Sequence, residues 1–174
     1  FSLTIHPIIQ ALASELVLGY LDDLTLGGDL VVLQQDVALV AEKAAEVGLQ
    51  LNASKCELIC EGSFDGVLPL PGFDDFLKLR VDEASLLGSP LIPGKALDQI
   101  LEKRVRNLET AISRLHLLES HDALLILKNS LSSPKLMYNL RTAPCSEHPG
   151  LEEFDAILRV ALVTNVAIDD FQWV

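Results

Sequence analysis

Long apolar runs and targeting segments are missing from this sequence of 174 residues. Its C-terminal apolar stretch is interrupted by Arg159, so no run reaches the length that crosses a bilayer. The chain opens on Phe1 without an initiator methionine or a basic segment, so no secretory signal peptide is recognisable. These absences predict a protein that is not secreted and has no membrane span. The abrupt opening and the 49% hydrophobic content lead us to expect a piece of a longer chain.

Cysteine is also scarce, and the three that occur form an odd set: Cys56, Cys60 and Cys145. An odd set without a disulfide framework indicates a reducing intracellular compartment, the cytoplasm or the nucleus. Cys145 and His148 have a gap like that of zinc ligands, and Cys56 with Cys60 is the conceivable second pair. Neither pair has the context of a zinc knuckle, so ordinary free cysteines are the favoured interpretation.

Basic residues are few, 13 against 25 acidic ones, which gives a formal net charge of −12. A simple nucleic-acid binder should instead be basic. The distribution along the chain weakens this objection, because residues 94–145 hold 8 basic and 5 acidic side chains. Residues 1–93 hold only 4 basic and 14 acidic side chains. A surface for nucleic acid is therefore expected in the second half of the chain.

The most informative stretch is 17–28, in which apolar residues flank two adjacent carboxylates and a glycine pair follows. This pattern predicts a tight β-hairpin with Asp22 and Asp23 at or beside its tip. Two adjacent carboxylates are costly to bring together unless a cation neutralises them. Mg²⁺ suits this role, because it takes one or two carboxylates and leaves positions open for phosphate oxygens.

Three motifs in order resemble those of reverse transcriptases, the RNA-directed DNA polymerases of retroelements. The turn at 20–23, Tyr-Leu-Asp-Asp, resembles motif C of the polymerase palm. The segment 48–56 resembles motif D with its lysine at Lys55, and 86–91 resembles motif E, the primer-grip hairpin. Their spacing is closer to that of a non-LTR retroelement than to that of a retroviral enzyme.

This resemblance implies an α+β protein. Residues 1–93 would form a partial palm of a hairpin, a helix and short antiparallel strands. Residues 94–174 would form an all-helical thumb and the start of a following helical region.

The resemblance also implies two-metal nucleotidyl transfer with Mg²⁺, or Mn²⁺ in its place. Asp22 would share the metal ions with an aspartate of motif A, and Asp23 would support it. Lys55 would donate a proton or charge to the leaving pyrophosphate. Tyr20 would lie against the primer end, which Leu87 and Gly88 would steer.

The partners implied for the full-length parent are an RNA template, a DNA primer and a deoxynucleoside triphosphate. In the family, motif A and the core of motif B lie upstream of motif C. Neither is recognisable in this sequence, so the upstream palm and fingers are missing partners. With half of its metal ligands, the chain is expected to be inactive alone.

Hydrophobic periodicity predicts the remaining elements. On the helix that follows the hairpin, Asp29 is the expected N-cap, Gly48 the expected end, and Asp36 is placed on the outer side. Short strands are expected on both sides of a turn at 52–54. The other predicted strands are 76–81 and 86–92, and the predicted helices are 2–15, 30–47, 95–115, 120–132, 134–140 and 150–168.

Four basic side chains of the helix predicted over 95–115 lie opposite its apolar stripe. At the helical rotation per residue, they fall within an arc of about 100° around the helix axis. They are Lys95, Lys103, Arg106 and Arg114. In a thumb, this face would meet the backbone phosphates of the primer–template duplex. Charged residues also cover the solvent face of ordinary helices, and the sequence leaves both interpretations open.

A protein of a different class is the alternative: a decayed or repurposed retroelement remnant that acts as a non-enzymatic interaction module. The acidity of residues 1–93 and the missing motif A favour this alternative. The intact tetrad at 20–23 and Lys55 favour a catalytic lineage. Salt-dependent duplex binding separates the two possibilities, since a plain scaffold should not bind.

Overall fold

The computed structural model describes residues 2–62 and 71–166. These residues form an α+β protein that is mainly helical and has short strands, as the sequence predicted at this level. Residue contacts divide the chain into two compact units, Phe1–Leu79 and Arg80–Val174, each treated separately below. The predicted boundary at residue 93, which concerns the palm and thumb, stays a prediction.

The first unit begins with helix α1, Ser2–Gln10, which ends five residues earlier than the predicted helix. It ends where the backbone N–H groups stop donating to carbonyls of the helix. The N–H groups of Ala11 and Leu12 still donate to helix carbonyls, but those of Ala13 and Ser14 donate to the side chain of Asp36. The chain then enters the hairpin.

Strands β1, Leu16–Tyr20, and β2, Asp23–Gly27, form the predicted hairpin. They pair antiparallel with Leu16 opposite Gly27 and Tyr20 opposite Asp23, so the turn has only two residues, Leu21 and Asp22. No third strand joins this sheet within 2–62 and 71–166.

Helix α2, Leu30–Glu46, matches the predicted helix to within one residue. Its N-cap is Asp29, whose Oδ1 accepts from the N–H of Val31 at 2.8 Å, as predicted from the side chain's capping ability. Gly48 has φ +77°, the left-handed conformation that glycine adopts after a helix end.

Asp36 contradicts its predicted position on the outer side of α2, because its side chain is only 3% exposed. Its carboxylate accepts hydrogen bonds from the N–H of Ala13 at 3.0 Å and from the N–H and hydroxyl of Ser14 at 2.7 and 2.5 Å. Burial by itself would raise the pKa of Asp36, but these hydrogen bonds outweigh it and hold the pKa below its ordinary value. The side chain therefore fastens the α1–β1 connection to α2.

A 3₁₀ turn, Ala53–Lys55, precedes strand β3, Glu57–Cys60, which pairs with β4, Leu77–Arg80. The strand expected before this turn does not form. Its first residue, Leu49, donates its N–H to the carbonyl of Ala44 at 2.8 Å and so belongs to the end of α2. Residues 63–70, between β3 and β4, lie outside the described residues.

The second unit contains another hairpin, where hydrophobic periodicity predicted a single strand over 86–92 and the resemblance to motif E implied a hairpin. Its strands are β5, Ser85–Leu86, and β6, Ser89–Pro90, which pair antiparallel across a two-residue turn at Leu87 and Gly88. The two left-handed residues of this turn reverse the chain, which a continuous strand does not allow.

The helices of the second unit follow the sequence closely. They are α3, Lys95–Leu115; α4, Ser120–Ile126, continued by a π-helical turn, Leu127–Leu131; α5, Ser133–Thr142; and α6, Pro149–Val166. The last two residues of the predicted helix 150–168 lie outside the described residues. The apolar stripe of α3 packs against α5 and α6, and the core consists of Leu97, Leu101, Val105, Leu108, Leu136, Cys145 and Phe154.

Candidate functional site

The tip of the first hairpin has a backbone conformation that is unusual for its sequence. Leu21 has φ +54°, whereas φ of Asp22 is not positive. A positive φ at the first central residue is the pattern of type II′ turns, which favour glycine there. A leucine in such a sparsely populated conformation costs about 1–3 kcal/mol. Strained residues of this kind concentrate at functional sites, so the tip is a candidate site.

Both carboxylates lie at this tip, as predicted. Asp22 is the second turn residue and Asp23 is the first residue of β2, opposite Tyr20. Both side chains are exposed, and neither makes a hydrogen bond or ion pair within the described part of the chain. Their oxygens are therefore free to bind a cation.

The residues present fit part of a magnesium site. Two free carboxylates at a hairpin tip match the one or two protein carboxylates with which Mg²⁺ is usually bound. No group of three or more His, Cys, Asp or Glu side chains that would hold a metal ion occurs within residues 2–62 and 71–166. Asp22 and Asp23 would thus supply some of the ligands, and further oxygens must come from elsewhere.

Tyr20 lies beside the carboxylates on an open face of the hairpin. Its side chain is 60% exposed. Leu16 and Leu18 point to the same face, since side chains alternate along a strand, and both are about half exposed. On the opposite face, Gly19 lies against Ile9 of α1. The face with Tyr20 is therefore the one available for contacts.

Lys55 lies on the 3₁₀ turn between α2 and β3 and is exposed. Its N–H donates to the carbonyl of Asn52 at 3.0 Å, and Ser54 donates its hydroxyl to Oδ1 of Asn52 at 2.8 Å. These bonds fix the turn that carries the lysine. Its ammonium group has no hydrogen-bond or ion-pair partner in the described part of the chain, so its predicted role beside a phosphate stays a prediction.

The turn at Leu87 and Gly88 is the second strained hairpin tip. Both residues have positive φ, +50° and +78°, which is the type I′ pattern that asparagine–glycine usually fills. Leu21 and Leu87 are the non-glycine residues with positive φ in the described part of the chain. Leu87 is 49% exposed, so the turn presents a leucine to the outside.

Helix α5 holds this second hairpin with two hydrogen bonds. The hydroxyl of Tyr138 donates to the carbonyl of Leu87 at 2.5 Å, and the buried hydroxyl of Ser89 donates to the carbonyl of Thr142 at 2.9 Å. Tyr138 could not be identified from the sequence, because its partner is 51 residues away in the chain and the residue itself lies on an ordinary exposed helix position.

The predicted basic face of α3 is exposed, but two of its four cations are already paired. Lys95 contacts Glu83 at 2.6 Å, and Arg106 lies 3.5 Å from Glu102. The hydrogen bond with Glu83 raises the pKa of Lys95, and the same bond lowers the pKa of Glu83. Lys103 and Arg114 have no ion-pair partner within residues 2–62 and 71–166. They are therefore the more available cations.

Arg104, which was not among the predicted residues, turns toward the core side of α3. Its Nε donates to Oδ1 of Asn139 at 3.2 Å. Asn139 is fully buried, and its Nδ2 has no hydrogen-bond partner in the described part of the chain. This pair connects α3 to α5 and has a structural role.

Comparison of the chain with protein-family models, with curated proteins and with solved structures gives no match. Among the described helices, none combines the length and the apolar character needed to cross a bilayer.

Proposed function

We propose that the chain contains the motif C, D and E part of the palm and the thumb of an RNA-directed DNA polymerase of a retroelement. The observation that carries this proposal is the hairpin tip, where a Tyr-Leu-Asp-Asp sequence closes a two-residue turn. Its two exposed carboxylates have no partner in the part of the chain that the structure describes. A solvated loop with the same letters would not need a strained leucine between the tyrosine and the aspartates.

Asp22 and Asp23 would hold Mg²⁺, with Mn²⁺ as a substitute. When bound, the metal ions of such a site activate the primer hydroxyl and neutralise charge on the triphosphate. Tyr20, on the open face next to Asp23, would contact the primer end. Lys55 would offer its free ammonium group to the leaving pyrophosphate.

The helical second unit would bind the primer–template duplex through the outer face of α3. Lys103 and Arg114 would contact phosphates directly, since neither has an ion-pair partner within residues 2–62 and 71–166. Lys95 and Arg106 would have to exchange Glu83 and Glu102 for a phosphate. The strong acidity of residues 1–93 fits binding confined to this helical face.

Complete catalysis would need the motif A aspartate of an upstream palm. The two-stranded sheet β1–β2 supports such a partner, because isolated hairpins are marginally stable and further strands normally complete the sheet. The chain by itself should therefore not extend a primer.

Duplex binding tests the polymerase proposal against the alternative of a non-enzymatic interaction module. The probe is a fluorescent DNA primer on an RNA template, and its anisotropy is followed as salt is raised. Phosphate contacts by all four cations of the α3 face would give a slope of about −3.6 in log affinity against log salt. The double variant Lys103→Ala/Arg114→Ala should bring this slope closer to zero by about 2. The control Lys128→Ala/Arg159→Ala also removes two cations but should leave the slope unchanged. Absent or salt-independent binding would favour the interaction module.

Metal binding tests the carboxylate tip directly. Mn²⁺ is added to the isotope-labelled chain, and the broadening of backbone amide signals by the paramagnetic ion is measured. We expect broadening centred on Leu21 to Leu24, lost in Asp22→Asn/Asp23→Asn. The matched control is Asp74→Asn/Asp75→Asn, which removes a second exposed pair of adjacent carboxylates. Equal broadening at both pairs would contradict a specific metal site.

A further inference from the structure

We propose that Tyr138 is a positioning residue that holds the Leu87–Gly88 turn in the shape that contacts the primer end. This inference deepens the proposed function and rests on it. It starts from a hydrogen bond that links α5 to the tip of the second hairpin, 2.5 Å from the Tyr138 hydroxyl to the Leu87 carbonyl.

The turn needs outside support, because its first residue is poorly suited to it. Leucine at φ +50° is disfavoured by contact between its Cβ and the backbone, whereas glycine at φ +78° is not. The strands that flank the turn have two residues each, so the hairpin itself adds few hydrogen bonds. A strained residue persists only where the surroundings over-determine it.

Helix α5 provides this support at two points, at the strained residue and two residues after it. The Tyr138 hydroxyl binds the carbonyl of the strained residue itself. Two residues later, Ser89 is buried and donates to the Thr142 carbonyl, which lies one turn further along the same helix. The hairpin is thus fixed to a rigid element of the helical unit, and the leucine side chain is left outside.

The strain and the exposure point to a contact function for Leu87. If the turn had only to reverse the chain, a glycine or asparagine would do so without strain. The leucine presents an apolar group, 49% exposed, at a fixed position beside α5. An apolar group at a rigid tip suits packing against the sugar or base of a terminal nucleotide. The sugar and base have an apolar face, whereas the phosphates along the duplex do not.

The test compares the full chain with Tyr138→Phe, which removes only the hydroxyl. The control is Ser132→Ala, which removes another hydroxyl of the same unit. This hydroxyl donates to the backbone carbonyl of Lys128 at 2.7 Å. Amide hydrogen exchange and NMR signals of Leu87 and Gly88 report the turn. Competing anisotropy titrations with recessed and blunt RNA–DNA duplexes report the preference for a primer end.

In Tyr138→Phe we expect altered turn signals and a preference for the recessed end that falls by about two- to tenfold, the effect of one hydrogen bond. Binding to the blunt duplex should stay as in the parent, which a merely destabilised fold would not give. Ser132→Ala should change neither readout.

Unchanged turn signals in Tyr138→Phe would overturn the positioning role, and so would an altered turn with an unchanged end preference. A parent chain that binds no duplex would overturn the proposed function instead, and the turn signals would then still show whether Tyr138 holds the turn. The two failures are therefore distinguishable.

Discussion

Asp36 provides the sharpest test of how the first unit is held together. Asp36→Asn keeps the size of the side chain but removes its charge and one of its two acceptor oxygens. Three donors converge on the carboxylate, the N–H groups of Ala13 and Ser14 and the hydroxyl of Ser14. The amide nitrogen of asparagine would face at least one of these donors.

The expected loss follows from these contacts. A hydrogen bond to a charged group contributes about 1.5–3 kcal/mol, and an unpaired buried donor costs a similar amount. We therefore expect Asp36→Asn to lower the free energy of unfolding of the first unit by about 3 kcal/mol. The matched control is Asp29→Asn on the same helix, which should change it by only a few tenths of a kcal/mol, because asparagine and aspartate cap helices about equally well.

The pH dependence of the free energy of unfolding provides a second, independent test of the role of Asp36. Because the pKa of Asp36 is lowered in the folded state, its contribution is complete at pH values above the unfolded pKa of about 3.9. It is lost as the pH falls through the lower, folded pKa. The difference between the parent and Asp36→Asn should thus be largest near pH 7 and shrink below pH of about 4.

Hydrogen exchange measured by mass spectrometry over 2–46 suits this test, because it reports the first unit separately from the helical one. Exchange in α2 and β1 should accelerate in Asp36→Asn at pH 7, while α3 and α6 stay unchanged. Equal protection in the parent and the variant would show that the Asp36 carboxylate does not hold the first unit together, and so would a difference that does not depend on pH.

Three further predictions concern the tips and the basic face. Gly88→Ala should lower the free energy of unfolding by about 1 kcal/mol and with it the melting temperature. The added Cβ would have open space, but alanine is unfavourable at a φ of +78°; an unchanged melting curve would contradict this. Leu21→Gly should not lower the melting temperature, because the strain that glycine removes at φ +54° offsets the flexibility that it adds to the unfolded chain. A clearly lower melting temperature would show that the leucine side chain packs against the protein. Glu83→Gln should strengthen duplex binding in anisotropy titrations by freeing Lys95, with little effect on unfolding; weaker binding would exclude Lys95 from the duplex face.

Local signals account for the parts of the fold that the sequence predicted well. The hairpin at 16–27 and the capped helix α2 depend on neighbouring residues: alternation, Asp29 and Gly48. The basic face of α3 likewise follows from the helical repeat alone.

The parts that were wrong depend on distant contacts. Helix α1 ends early, and Asp36 is buried, because these two segments bind each other across 22 to 23 residues. The strand predicted at 86–92 became a hairpin because α5, about 50 residues away, supports a turn that leucine disfavours. Of the candidate site, the hairpin that carries the tetrad and the exposure of the basic face could be predicted, whereas the roles of Asp22, Asp23 and Lys55 stay predictions. Tyr138 could not be predicted, since nothing near it in the sequence indicates its partner.

The open hairpin of the first unit has a practical consequence for anyone who prepares this chain. In the part that the structure describes, the outer edges of β1 and β2 have no neighbouring strand, and the face beside them exposes Leu16, Leu18 and Tyr20. Unpaired edges next to apolar side chains are templates for intermolecular strand addition, which leads to aggregation. We expect self-association at high concentration to begin at this hairpin. Lysine in place of Leu18 would then act as a gatekeeper that keeps the protein in solution.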